Sequence, residues 1–125
     1  MASPDTITGY HAHVYYDAES KETAARLRAQ IEDGFEIEMG RWHDHPVGPH
    51  PIGSYQVAFS PTLFGDIVPW LAMNHGRLTV FIHPLTGDVV REHTENALWL
   101  GREMEIDVSF LERIAAERSE KAGKE

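Results

Sequence analysis

The chain carries eight histidines and no cysteine, so any transition-metal chemistry it performs falls to imidazole and carboxylate ligands. His11 and His13 form a His-x-His pair. On a strand both rings leave the same face, two residues' rise apart, which suits two adjacent ligands of one metal. The pair alone equally describes two solvated histidines on a polar sheet face, and a third imidazole beside it, such as His83, brings the two readings level. Three imidazoles, with or without a carboxylate, leave coordination positions free for a substrate, whereas a closed four-ligand zinc site is inert. A further histidine can move a proton near neutral pH.

Two more segments hold side chains of this kind. GRWHDHPVGPHP, Gly40 to Pro51, contains His43, His45 and His50, and its prolines 46, 49 and 51 stiffen it. Long loops inside small domains are uncommon and usually functional, though a proline-rich surface loop is the plain alternative. Here Arg41 suits a carboxylate and Trp42 an aromatic ring. The segment from His83 to Gly101 adds His93 and the carboxylates Asp88, Glu92 and Glu95, charges that more often just solvate a turn. Trp99 and Leu100 in it read as an anchor packed back on the domain.

These segments must be positioned by strands and helices. Ile7 to Tyr16 reads as a strand running through the helix N-cap Asp17 into a helix with Ala24, Leu27 and Ile31 on one side, stopped at Gly34. Phe35 to Met39 and Ser54 to Phe59 alternate as strands. Ser60 and Pro61 open a second helix, with Leu63, Phe64, Ile67, Val68 and Leu71 on its apolar side and an end near Gly76. Pro69 lies inside it, four residues after Gly65, where its ring meets least resistance, so the helix is expected to kink and continue. Arg77 to His83 is a fourth strand, closed by the turn Pro84 to Asp88. The order β-α-β-β-α-β predicts an α+β, ferredoxin-like domain, one four-stranded antiparallel sheet with both helices on one face.

Alternation then assigns faces. Tyr10, Ala12, Val14 and Tyr16 of the first strand and Leu78, Val80 and Ile82 of the fourth face the helices. That leaves His11, His13, Tyr15, Thr79, Phe81 and His83 on the open face, with Ser54, Gln56 and Ala58 of the third strand. Because the first and fourth strands are antiparallel neighbours in this topology, His83 is expected beside His11. Tyr15 and Phe81 would form an apolar wall for an aromatic substrate, or equally a patch that a second copy covers, and a homodimer is the expectation.

With 125 residues, 42% of them apolar, the chain is expected to be one domain, 1–125, with its core over about 7–101 and a C-terminal extension over 102–125. Phe110, Leu111, Ile114 and Ala115 of that extension predict a docked helix, followed by a frayed tail after about Arg118. Twenty acidic residues against 11 Lys plus Arg give a net charge of -9, the wrong sign for a general binder of nucleic acid or anionic membranes. Neither a signal peptide nor a membrane span is evident, and a cytoplasmic location is expected.

Taken together, YHAHVYYD (Tyr10 to Asp17), GRWHDHPVGPHP, and HPLTGD followed by EHTENALWLG resemble the signature stretches of the DOPA 4,5-dioxygenase family, in order and over nearly the whole folded domain. The resemblance implies a small ferredoxin-like fold and extradiol opening of a catechol, a small aromatic diol, by non-haem Fe(II) and O2. Manganese or zinc are alternative occupants. By position the family's histidines correspond to His11, His13, His43, His50, His83 and His93, and His45 is set aside. Joined to the face assignment, this makes His11, His13 and His83 the expected metal ligands. His50, His93 and His43 are then expected to act on protons or substrate, and Tyr15, Arg41, Trp42, Gln56 and Phe81 to contact the substrate. A metal-free dimeric small-molecule binding module of the same fold is the alternative from a different class, and a purely structural interaction domain is a third.

Overall fold

The computed structural model describes residues 1–123. Its sheet is built from β1 (Gly9–Tyr16), β2 (Glu38–Met39), β3 (Gly53–Phe59), β4 (Thr79–Leu85) and β5 (Leu98–Leu100). The strand order is β2-β3-β1-β4-β5, and every pairing is antiparallel. The sheet thus has five strands rather than the expected four. The extra one contains Trp99 and Leu100, and Trp99 pairs with Phe81. Three residues are too few for alternation to announce a strand.

Helices α1 (Lys21–Gly34) and α2 (Phe64–Asn74) cover one face. Ala24, Leu27 and Ile31 recur at helical spacing on α1, and Ile67 and Leu71 do so on α2. They share one core with Ala12, Val14 and Tyr16 of β1, Tyr55, Val57 and Phe59 of β3, and Leu78, Val80 and Ile82 at β4. The face assignment read from alternation is therefore the one observed on these three strands. A buried Tyr55 hydroxyl in that core donates to the Ala24 carbonyl at 2.8 Å, which meets the requirement that buried polar groups find partners. Helix α2 continues through Pro69.

Several boundaries differ from the sequence reading for local reasons. Ser20 occupies the N-cap position of α1, while Asp17 closes the preceding turn by accepting the Ser20 N–H at 3.0 Å. Only Glu38–Met39 of the second strand pairs, because Phe35 turns inward against Trp70 with ring centroids 5.3 Å apart. β4 runs through Pro84 to Leu85 instead of stopping at His83. β5 pairs only with Val80 to Ile82, so Pro84 sits where β4 is an outer strand and a residue without N–H is tolerated.

The second sheet face is not open. Helix α3 (Val89–Glu92), the His50 end of the loop that follows β2 and helix α4 (Val108–Gly123) lie on that side, together with the Trp99 ring of β5. Trp99 stacks on Phe81 at 4.4 Å between ring centroids, and Tyr15 and Phe81 are both buried. The chain itself thus covers the patch that suggested a second copy. α4 extends to Gly123, past the point where a frayed tail was expected, and packs on α3. Among the described residues no helix is long and apolar enough to cross a membrane.

Leu71 has no solvent exposure. Leu71→Ala should cost about 2–5 kcal/mol, as large-to-small core changes do, read as a lower urea midpoint with an unchanged slope.

Candidate metal centre

The register of β1 on its neighbours assembles the site. His11 pairs directly with His83, and His13 pairs with Phe81 on one side and Gln56 on the other. The His11 and His83 ring centroids are 5.1 Å apart, and those of His13 and His83 5.2 Å. His13 Nε2 lies 3.1 Å from His83 Nε2. Two imidazole nitrogens about 2.1 Å from one ion and at right angles around it are separated by about 3.0 Å, so this pair already has the spacing of adjacent ligands. His83 Nδ1 donates to the Pro84 carbonyl at 3.1 Å, which leaves the Nε2 lone pair free. In the metal-free protein the hydrogen between the rings therefore sits on His13, which must move it to Nδ1 to ligate through Nε2.

Two groups of three side chains bring one donor atom each within 4.8 Å of one another: His11, His13 and His83; and His83, Glu92 and His93. The second arises from α3. Asp88 caps this helix by accepting the Arg91 N–H at 3.2 Å. Its last residue, Glu92, is buried, and one of its carboxylate oxygens accepts the Thr86 and Gly87 N–H groups at 2.6 and 2.9 Å. His93 Nδ1 donates to the Val89 carbonyl at 2.7 Å, presenting Nε2, and its ring lies 3.9 Å from that of His83. Glu92 is one of three carboxylates that the His83 to Gly101 segment offers. What separates it from Asp88 and Glu95 is the turn of β4 into α3, which buries it and leaves Glu95 paired with Arg91 in solvent.

The proline-rich loop folds back within its own chain. His43 bridges Ser54, and Gly53 permits that approach, since a Cβ there would stand 2.8 Å from the His43 carbonyl oxygen. Asp44 accepts the Tyr16 hydroxyl at 2.8 Å and lies 2.9 Å from Lys21 Nζ. The far end of the loop delivers buried His50 to the histidine cluster, 4.2 Å from the His13 ring. Its Nδ1 is 2.7 Å from the Tyr15 hydroxyl. Burial pushes the Tyr15 phenol upward, so it keeps its hydrogen and the bond that holds the His50 ring joins two neutral groups.

Burial sets the charge of the cluster, with neighbouring imidazoles reinforcing it. It holds His83 down to about 3 and His50 to about 4, and lowers His13 well below the usual imidazole value. His11 and His93 shift in the same direction for the same first cause. At neutral pH the cluster is a set of uncharged lone-pair donors, the form a metal requires.

Other expected site residues lie elsewhere. Trp42 is on the opposite side of the sheet, packed edge-on to Tyr16 and Tyr55 at 5.2 and 5.0 Å, with the Arg28 guanidinium over its ring. It anchors the loop instead of touching a substrate at the cluster. Arg41 beside it is exposed. Tyr15 and Phe81 share the cluster's face, but both are buried and form its inner packing. Gln56 is half-buried next to His13 on that face.

Residues 10–110 match the model of the Dopa 4,5-dioxygenase family. The chain belongs to this family. As a Dopa 4,5-dioxygenase family member it is 31% identical over 114 residues to the DOPA 4,5-dioxygenase of Amanita muscaria, covering 84% of this chain and 50% of that protein. It is 32% identical over 122 residues to an uncharacterized 21.2 kDa protein of Botryotinia fuckeliana, covering 88% and 67%. The chain thus spans half to two thirds of the length of these relatives. A solved structure from Nostoc punctiforme, described as a candidate dioxygenase, superposes with a TM-score of 0.90 at 46% identity, covering 91% of this chain and 99% of that one.

The buried imidazoles make the metal-free family member acid-sensitive. With folded values below the unfolded 6.5, the unfolded state binds more protons in between, so stability rises with pH there. That contribution is complete above about pH 6.5 and is lost as the pH falls toward about 4 and then about 3. The lowered carboxylates Asp17, Asp44 and Asp107 titrate below their ordinary 3.8. Thermal melts of chelator-treated protein at pH 7.5 and pH 5 should therefore show a lower Tm at pH 5, while equal values would exclude neutral buried histidines.

Proposed function

We propose that the chain is a dioxygenase, an oxidoreductase that opens the ring of a catechol beside its diol with Fe(II) and O2, and that His11, His13 and His83 hold the iron. The 3.1 Å approach of His13 Nε2 to His83 Nε2 carries this reading, because it is ligand spacing present in neutral, buried side chains. Family membership and the name of the Amanita muscaria relative support the reaction class. When bound, Fe(II) would supply a Lewis-acidic, redox-active centre with positions free for the diol and O2.

The chain's own residues do the remaining work. Pro84 fixes the His83 ring through Nδ1, and Val89 does the same for His93, as ring orientation at metal sites usually requires. Phe81, Trp99 and Tyr15 exclude water from the inner side of the cluster, which strengthens electrostatic interactions there. His50, oriented by Tyr15, stands beside the His13 ring, where an imidazole can accept a proton from the diol or return one. Gln56 is the polar group on the β3 side.

A second ligand set has its own support. His83, Glu92 and His93 make up two histidines and one carboxylate, the donor set common among non-haem Fe(II) oxygenases. Here Glu92 already holds the Thr86–Gly87 turn through one oxygen, which favours a positioning role. The two sets share His83 and differ in all else.

Anaerobic Fe(II) loading of the purified protein, followed by a catechol panel read by the yellow absorption of the semialdehyde product, tests the activity. His13→Ala and His83→Ala should lose both iron and turnover. His50→Ala should keep iron and lose roughly 10²- to 10⁴-fold in kcat, the usual worth of a proton-handling group. If His13→Ala retains iron while Glu92→Gln loses it, the second set is the ligand set. If His50→Ala loses iron while His83→Ala keeps it, the loop completes the site.

A further inference from the structure

We infer that a ring-substituted ligand reaches the histidine cluster from the β3 side, over Ala58, and that the small side chain of Ala58 sets how bulky a substituent the site accepts. This rests on the metal and catechol reading above and adds to it a direction of approach and a residue that limits size.

The other sides of the three imidazoles carry large side chains. Toward β5 stands Phe81, fully buried under Trp99. Toward the loop, His50 lies on His13 and is held by Tyr15. Toward α3, half-buried His93 lies on His83 with ring centroids 3.9 Å apart, and buried Glu92 is beside it. His13 and His83 keep only 5% and 1% of their surface in solvent, whereas His11 is half-buried. The accessible flank of the three imidazoles is therefore the His11 flank.

Cross-strand pairing says what adjoins that flank. Ala58 is directly opposite His11 on β3, and Glu38 is opposite Ala58 on β2. Directly paired residues share a sheet face, so Glu38, Ala58, His11 and His83 form one row across it. A methyl group is the only side chain between His11 and the exposed Glu38. Two residues along β1, buried Gly9 has the Leu85 side chain beside it, 3.4 Å from where a Cβ would be. A cleft of about 530 Å³ lies at the ends of these strands, lined by Thr8, Tyr10, Glu38, Ala58, Phe59 and Leu85 among others, within the size range of small-molecule sites; none of its lining is a histidine, and Glu38 and Ala58 join it to the His11 row. A diol at the histidines would point the rest of its ring and any substituent across Ala58 into this cleft. A larger side chain at 58 would occupy that path without touching a histidine's hydrogen bonds.

The opposite end of the same face offers the competing route. A smaller cleft of about 250 Å³ there is lined by Tyr15, Ile52, Thr79 and Arg102 among others, but buried Tyr15 and Phe81 stand between it and the imidazoles.

The test uses zinc-loaded protein, which binds ligand without turnover, and follows 4-nitrocatechol by its absorbance shift, with unsubstituted catechol as competitor. Ala58→Val, Ala58→Leu and Ala58→Phe should bind zinc as the parent chain does. Their affinity for 4-nitrocatechol should fall with side-chain size, by roughly tenfold or more at Phe, and their affinity for unsubstituted catechol should fall less. Thr79→Phe should leave both unchanged. The inference is overturned if the Ala58 series binds 4-nitrocatechol like the parent, if zinc is lost in parallel with it, or if Thr79→Phe blocks binding instead. A parent chain that takes up zinc but no 4-nitrocatechol would sink the catechol reading itself, a result distinct from failure of the Ala58 series alone.

Discussion

The pairing of His11 with His83 across β1 and β4 is the constraint from which the rest of the molecule follows. Side chains alternate faces strictly along a strand, so a slip of one residue would turn a whole set of side chains over. With β4 slipped by one, His83 would enter the helix-covered core and Ile82 would leave it. The apolar residues that α1 and α2 bury thus also enforce the register that gathers the imidazoles. Folding energy spent on the core is, by the geometry of the sheet, spent on the site.

That site is electrostatically unusual. Five imidazoles share a small, largely dry volume with one buried carboxylate, Glu92. Charging any one ring costs desolvation and repulsion from the others, so the cluster stays neutral. A divalent ion reverses this, since each lone pair then faces a positive charge. The hydrogen bonds from His83 and His93 to backbone carbonyls fix which nitrogen faces inward before any ion arrives.

The sheet was legible because alternation is a strong signal on long, half-buried strands. Eight residues of β1 and seven of β4 carried enough parity to put His11, His13 and His83 on one face and side by side. Short or context-dependent features were not legible. β5 has three residues and α3 four, below what periodicity resolves. Pro84 read as a turn because its tolerance depends on where β5 stops. Trp42 read as a ligand-facing ring because nothing in its own segment shows that Arg28, Tyr16 and Tyr55 would claim it from the other side of the sheet. The open face was a consequence of missing the loop's return, and that return depends on contacts more than fifty residues downstream.

Those downstream contacts put an order on how the molecule is made. The Asp107 N–H donates to the Pro49 carbonyl at 2.8 Å, and the Phe110 ring stands 3.4 Å from where a Cβ on Gly48, at φ 55°, would be. Leu111 is buried as α4 begins. The segment before His50 is thus seated by residues that leave the ribosome after β1, β3 and β4, and chains fold from the N-terminus as they emerge. In a nascent chain the imidazoles of β1 and β4 come together before their cover closes. An ion present during synthesis meets them open to water; one that comes later has only the flank of half-buried His11 to enter by.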